Sequence, residues 1–483
     1  MKRLSREERP LETQIDLSPI GMRGPLTRRQ VLYAFGVATV ATIAGSGIRP
    51  PQIEAVMADP VGLTPPLAAV PRAFFGMHIH FAAWNTPWPK VPFATWRLWD
   101  ASVMWSEIQP QRGVYSWDLL DSLVNLAEKH GVEPALTLGM TPTWASARPG
   151  DGSDYGPQTS AAEPANMQDW VDYVTAVATR YKGRIHYYEI WNEPNGQYFT
   201  GTMATLVLMT KLAHDALKRV DPANQVISPA ITRDTDYLDA FLAAGGGQYI
   251  DVLGFHFYSY PDPPESIVGS AQRVGQILAN YGMENVPIWN TETGYHADNL
   301  TTDDARMGYV SRMYLLNWAL GISRFNWYAW DNHGFCTLWM TESDNATLTP
   351  AANAYVMTQK WLLNARMTAC TQDGANTWVC KLVRADGQTV RIVWNARGTA
   401  QFRVPADWNV NSVQSLFDRR QRIVPGAQLL IGLSPLLFDF IPDPIPPPTP
   451  TTPTPIALLP PSSRRASTPT TNLSPDPAPM PRR

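Results

Sequence analysis

Between residues 74 and 331, short runs of aromatic and branched aliphatic residues alternate with longer stretches whose apolar positions return every three or four residues. The short runs are FFGMHIHF (74–81), TWRLWD (95–100), PALTLGM (134–140), IHYYEIWNE (185–193), QVISPA (225–230), DVLGFHFY (251–258), VPIWNTE (286–292) and RFNWYAWD (324–331). They have the length and apolarity of strands in a parallel sheet. The longer stretches read as amphipathic helices. WDLLDSLVNLAEKHG (117–131) sets Leu119, Leu120, Leu123, Leu126 and Ala127 on one face and stops at Gly131, a residue suited to the left-handed turn after a helix. MQDWVDYVTAVATRYKG (167–183), ATLVLMTKLAHDALKRV (204–220) and DARMGYVSRMYLLNWALG (304–321) keep the same period. Eight such alternations predict an α/β fold, a (β/α)8 TIM barrel over residues 73–366. A doubly wound sheet is the competing α/β arrangement, but HIHFAAWNTPW after the first run has no GxGxxG loop.

After residue 366 the period changes to two. TWVCKLVRADGQTVRIVWNARGTAQFRVP alternates apolar and polar positions and is broken at ADG and ARG. Residues 367–440 therefore read as a C-terminal antiparallel β-sandwich packed on the barrel. Cys370 and Cys380 flank TQDGANTWV, a hairpin with an Asp-Gly turn; a disulfide across it and two unlinked buried thiols are both compatible with the spacing.

The two ends differ from the middle. Arg28 and Arg29 in TRRQVLY precede an apolar, Ala- and Gly-rich stretch from about Val31 to Ile48, which resembles a bacterial twin-arginine export signal. Residues 1–58 are read as that signal, cleaved after Ala58, with an uncleaved anchor as second choice, and 59–72 as a linker. Either reading places the remainder outside the cytoplasm, in the periplasm, envelope or medium of a bacterium. Residues 441–483 are rich in Pro, Thr and Ser and read as a disordered tail, or more sharply as a segment that spans or binds the cell wall.

Composition narrows the function. The net charge is −3, so no basic field recruits nucleic acid. Three cysteines are too few for a disulfide scaffold or a thiolate metal centre. Eighteen Trp and eighteen Tyr supply a core and also the flat apolar faces that sugar-binding clefts use.

In a barrel enzyme the chemistry sits where the strands end. The fourth run ends on Asn192 and Glu193 and is stopped by Pro194; the seventh ends on Glu292. Two carboxylates facing each other across a barrel mouth are what glycosidic cleavage needs, one to protonate the leaving oxygen and one to attack or to activate water. Arg97 on the second run and Tyr258 on the sixth are placed to donate to one carboxylate and keep it ionised. The other, in a drier setting, is expected to hold its proton. His256, two residues before Tyr258, shares its face and is read as a substrate-binding residue; the eighth run ends in Trp330, read as the floor of the sugar-binding subsite, and Asp331. His80 is read as a substrate hydrogen-bonder or a packed strand residue. Trp84, Trp88, Trp99 and Trp144 lie in or near the strand-end loops, and Trp144 is taken as a sugar contact.

These strings resemble the glycoside hydrolases of clan A. WNEPN (191–195) and WNTETG (289–294) are similar to that clan's acid/base and nucleophile motifs, and TWRLWD, FHFY and WYAWD to its supporting Arg, His-x-Tyr and Trp positions. GMTPTWAS (139–146) and the trailing β region look most like glycoside hydrolase family 39. Some clan members have a histidine near the end of strand three, where this chain reads LGMTP. The resemblance covers residues 73–440 and implies a retaining glycosidase of poly- or oligosaccharides. It implies Glu193 as acid/base, Glu292 as nucleophile, Asn192 at the sugar 2-hydroxyl and Tyr258 at the nucleophile. No cofactor and no metal enters this reading. Two alternatives remain: a carbohydrate-binding envelope protein without catalysis, and a metal-dependent amidohydrolase barrel using His78 and His80. The second wants a Lys on strand four and a His on strand five, where the chain offers EIWNEP and QVISPA.

Overall fold

A computed structural model of the protein describes residues 61–333 and 336–442. The expected export signal and most of the Pro-rich tail lie outside the described residues.

Eight parallel strands form the central sheet: β1 (Phe75–Met77), β2 (Thr95–Leu98), β3 (Glu133–Leu138), β4 (Tyr187–Ile190), β5 (Gln225–Ile227), β6 (Leu253–His256), β7 (Ile288–Thr293) and β8 (Ile322–Trp327). The order runs β5-β4-β3-β2-β1-β8-β7-β6, every pairing parallel. The ring closes because the chain continues past β5: Ile231–Thr232 pairs with Phe255 and His256 of β6, and Ile227 bridges to Val252. Pro229, which has no N–H to donate, sits in the gap between the two parts of that fifth strand. This is the expected (β/α)8 barrel.

Helices α1 (Asp118–His130), α2 (Met167–Arg180), α3 (Met203–Val220), α4 (Thr235–Ala243), α5 (Ile267–Asn280), α6 (Asp303–Ala319) and α7 (Pro350–Leu362) follow β2 to β8 in turn. The connection from β1 to β2 carries no helix, so the expected alternation fails at its first step. Its sequence, FAAWNTPWPKVPF, has three prolines and no helical period. On α1 the buried residues are Leu120, Leu123, Val124 and Ala127, with Leu119 and Leu126 half-buried on the flank. Gly131 ends the helix at φ 62°.

The C-terminal region is antiparallel. Strands β9 (Arg366–Gln372), β10 (Thr377–Val383), β11 (Thr389–Asn395), β12 (Ala400–Arg403), β13 (Ser412–Gln414), β14 (Arg420–Arg422), β15 (Gln428–Ile431) and β16 (Leu436–Asp439) form a main sheet and a β12–β15 pair. Alternation sorts the side chains. Ile392, Trp394 and Leu437 join the barrel's core, while Val393, Leu436 and Phe438 face the β12–β15 pair. Val61–Leu63, in the stretch read as linker, is an edge strand of this sheet, paired with Cys370–Gln372. Cys370 and Cys380 lie opposite each other on β9 and β10 and are disulfide-bonded. The hairpin turn takes its left-handed residue at Asn376 instead of the Gly of Asp-Gly. Trp394 Nε1 donates to Glu265 Oε1 at 2.7 Å, and Arg312 pairs with the same carboxylate at 2.8 Å, which ties β11 to α6.

Candidate active site

The C-terminal ends of β2, β4, β6 and β7 converge on one buried polar cluster, and Arg97 of β2 is its hub. Its Nε donates to Glu189 Oε2 at 2.7 Å, Nη1 to Glu292 Oε2 at 2.7 Å and Nη2 to Asn192 Oδ1 at 2.8 Å. The side chain is 1% exposed, so its charge depends on these partners. Burial works against the guanidinium, but Glu189 and Glu292 hold it more firmly protonated than usual.

Glu189 explains itself only here. It points into the barrel from the middle of β4, accepts from Thr137 Oγ1 at 2.7 Å as well as from Arg97, and is 1% exposed. Gly254 on β6 gives it room: a Cβ there would stand 3.2 Å from Glu189 Oε1 and 2.9 Å from Ile227 Cγ2. From sequence, this lone acid amid the aromatics of YYEIW reads as an inward-facing polar contact, which it is, but its partner Arg97 is not legible there.

Beyond β4 the backbone is strained. Trp191 and Glu193 have φ of 68° and 43°, in the left-handed region that non-glycine residues avoid. Asn192 between them bridges to Ala230, and Glu193 N donates to Ala230 O at 2.8 Å. These contacts hold Glu193 at the strand end instead of letting it turn outward.

His256 and Tyr258 divide the two carboxylates. His256 Nδ1 lies 2.9 Å from Glu193 Oε1, and Tyr258 Oη donates to Glu292 Oε1 at 2.7 Å. Arg97 and Tyr258 thus serve the same carboxylate, as expected. The drier carboxyl is the other way round from the expectation: the Glu292 side chain is 8% exposed and Glu193 18%. Burial raises the Glu292 carboxyl above its ordinary range, opposed by His256 and Arg97. Burial also works against ionised Glu193, but the hydrogen bond and charge of His256 outweigh it and hold that carboxyl low. The two titrate as a pair.

One ligating atom each from Glu193, His256 and Glu292 falls within 4.8 Å of the others. The histidines of the first strand do not join them. His78 Nε2 lies 3.0 Å from Thr291 O, and burial, with Arg97 nearby, keeps its ring neutral. Neither ring nitrogen of His80 has a hydrogen-bond partner among the described residues. Asp331 is spent on the backbone N–H groups of His80 and Phe81, at 2.8 and 2.9 Å, and on Thr86 Oγ1 at 2.6 Å. His78, His80 and Asp331 therefore do not converge on the ligand set that a metal hydrolase needs.

Trp330 is 1% exposed, and its backbone N–H donates to His78 O at 2.9 Å. Tyr328, also on the β8 side of the cluster, has ring centroids 5.0 Å from His78, 4.9 Å from His80 and 6.1 Å from His296. Burial, Asp100 and Glu292 push its hydroxyl well above the usual range. The loop tryptophans are placed otherwise than expected. Trp144 packs against Trp105 and Arg112 and donates to Gln109 O at 2.9 Å, apart from the residues bonded to the glutamates. Trp99 is buried, with Nε1 donating to Tyr155 Oη at 3.1 Å. Trp88 stacks on His130 at 4.2 Å, at the opposite end of the barrel, where β2 and β3 begin.

The sequence model of glycosyl hydrolases family 39 matches residues 52–304, which contain both glutamates, and the chain belongs to that family. It is a glycoside hydrolase. Solved structures share the fold. A family 39 glycoside hydrolase from Bacteroides cellulosilyticus WH2 superposes with a TM-score of 0.61 at 20% identity, covering 77% of this chain and 81% of that one. The GH39 enzyme from Xanthomonas axonopodis pv. citri gives 0.55 at 15% identity, covering 81% of this chain and 100% of that one. A monomeric β-xylosidase from Caulobacter crescentus CB15 gives 0.55 at 13% identity, covering 79% and 98%.

Proposed function

We propose that this family 39 enzyme is an exported, retaining glycosidase that acts on a poly- or oligosaccharide by double displacement. Glu292 attacks the anomeric carbon while Glu193 protonates the departing glycosidic oxygen, giving a glycosyl ester on Glu292. Glu193 then takes a proton from the water that displaces Glu292, and the sugar leaves with its original anomeric configuration. The observation that carries this reading is the carboxylate spacing. One oxygen of each carboxylate lies within 4.8 Å of one on the other, which fits the separation of about 5 to 5.5 Å between carboxyl groups used for covalent attack. Inversion wants roughly 6.5 to 9.5 Å, to admit a water.

The surroundings fit these roles. Arg97 and Tyr258 each donate to Glu292 at 2.7 Å and favour the charged nucleophile against its burial. Glu193 lies 2.9 Å from His256 Nδ1. Bound substrate covers the more exposed Glu193, removes water from it, and so raises its affinity for a proton. Asn192 is oriented by Arg97 to meet the sugar 2-hydroxyl.

We also propose export by the signal at residues 1–58, a catalytic barrel over 73–366, an accessory sandwich over 367–440 and envelope association through the Pro-rich tail. The Cys370–Cys380 disulfide supports export, since such bonds persist in oxidising compartments. One similar structure is a β-xylosidase, so β-xylosides head the substrate panel. Glu292→Gln tests the catalytic reading: we expect a folded protein without turnover. A folded, active variant overturns the assignment.

A further inference from the structure

Trp84 is 56% exposed and Phe81 40%, an unusual placement for two large aromatics three residues apart. Single exposed apolar side chains are common and carry no meaning alone. These two are held differently. The N–H groups of Trp84, Asn85 and Thr86 all point at Phe81 O, at 3.0, 3.2 and 3.1 Å, which makes a closed turn. Asp331, just past β8 and 2% exposed, fastens both ends of that turn through Phe81 N and Thr86 Oγ1. Burying a carboxylate is costly unless its oxygens are filled, and here they are filled by the turn and by His80 N. The chain thus spends a buried charge on holding an exposed tryptophan in place.

The turn is continuous with the catalytic cluster. From Trp84 the ring centroids step 6.3 Å to Phe81, 6.2 Å to His80 and 4.9 Å to Tyr328, which packs 5.0 Å from His78, itself 3.0 Å from the carbonyl of Thr291 beside Glu292. His80 is 1% exposed, and both its ring nitrogens lack partners among the described residues. A track of rings therefore leads from the nucleophile to solvent along the β1–β8 side, polar at its inner end and apolar at its outer end. That gradient suits a sugar chain: the polar cluster at the glutamates takes the sugar that is cleaved, and the apolar faces of further sugars stack on Phe81 and Trp84 outside.

We propose that Phe81 and Trp84 form a sugar-stacking platform outside the catalytic subsite, so that the enzyme prefers a chain of several sugars over a glycoside with a small leaving group. This rests on the glycosidase reading above and names the substrate class for the same site. A ligand confined to the two glutamates would leave the fastened turn without a use.

The test compares Trp84→Ala, Phe81→Ala/Trp84→Ala and Trp84→Tyr in the full-length enzyme. The probes are the 4-nitrophenyl glycoside that the panel identifies and oligosaccharides of the same sugar. The readout is the ratio of kcat/KM on the longest oligosaccharide to that on the aryl glycoside. Measured on one preparation, the ratio cancels any inactive fraction. We expect it to fall about five- to tenfold in Trp84→Ala, further in the double variant, and to recover in Trp84→Tyr. A ratio equal to wild type in both alanine variants overturns the platform while leaving Glu193 and Glu292 untouched. A wild-type enzyme that cleaves no glycoside overturns the glycosidase reading, and the platform with it.

Discussion

His256 and Tyr258 stand two residues apart on one face of the β6 end, yet each serves a different carboxylate: His256 Nδ1 lies 2.9 Å from Glu193 and Tyr258 Oη 2.7 Å from Glu292. Period-two geometry puts them side by side, and the barrel's curvature aims one at β4 and the other at β7. Each glutamate therefore has its own nearest partner, although His256 also lies 3.9 Å from Glu292 and lowers that carboxyl too.

Tyr258→Phe removes a donor to the charged nucleophile and leaves Glu193 alone. A hydrogen bond to a charged group contributes about 1.5 to 3 kcal/mol, so kcat/KM is expected to fall roughly 10- to 100-fold. Losing that donor raises the Glu292 carboxyl further above Glu193, which is held low in the free enzyme. The basic limb of kcat/KM, set by the higher of the two, therefore moves to higher pH. An unmoved basic limb contradicts Tyr258 as its partner.

His256→Asn acts on the other limb. His256 holds the Glu193 carboxyl low, so losing its charge raises that carboxyl. Glu193 must be protonated to act as acid, and the free enzyme keeps that proton up to a higher pH when its affinity rises. Glu193 is the lower of the two carboxyls in the free enzyme, so the acid limb of kcat/KM is expected to move upward in pH. A downward shift sinks the pairing.

Glu189 and Arg97 make a prediction about stability. Both are 1% exposed, and Nη2 of Arg97 lies 2.5 Å from Glu189 Oε2. Glu189→Ala leaves the guanidinium short of one counter-charge in a dry site, a change that costs about 3 to 5 kcal/mol. Urea unfolding of the purified variant measures it. A loss below about 1 kcal/mol means that Glu292 and Asn192 suffice to hold Arg97.

Cys370→Ser/Cys380→Ser tests the sandwich separately from the site. The bond closes a loop with a sequence separation of 10, and chain entropy gives it about 2 to 3 kcal/mol. Thermal unfolding is expected at a lower temperature, with kcat unchanged below the transition. Loss of kcat in the folded double variant shows that the sandwich reaches the catalytic cluster.

The barrel was legible because burial imposes a period on each strand and helix, and that period survives without tertiary information. Its one failure is the β1–β2 connection, where three prolines forbid the helix that the repeating pattern leads one to expect. Glu193 and Glu292 were legible because each breaks an aromatic run at its last position. Glu189 was legible only as an inward-facing polar residue, since its reason is Arg97, 92 residues away and two strands along the barrel. The tryptophans were the least legible. Trp144 and Trp88 sit in loops whose direction comes from packing on Trp105 and His130, and nothing in their own neighbourhood of sequence encodes that.

The account stands on covalent attack by Glu292 with Glu193 as its acid, and the configuration of the first-formed sugar tests that most directly. Proton NMR of an aryl glycoside turnover, read before mutarotation, distinguishes the anomers. We predict that the product first appears with the anomeric configuration of the substrate. First appearance of the opposite anomer contradicts double displacement and requires a water between the two carboxylates.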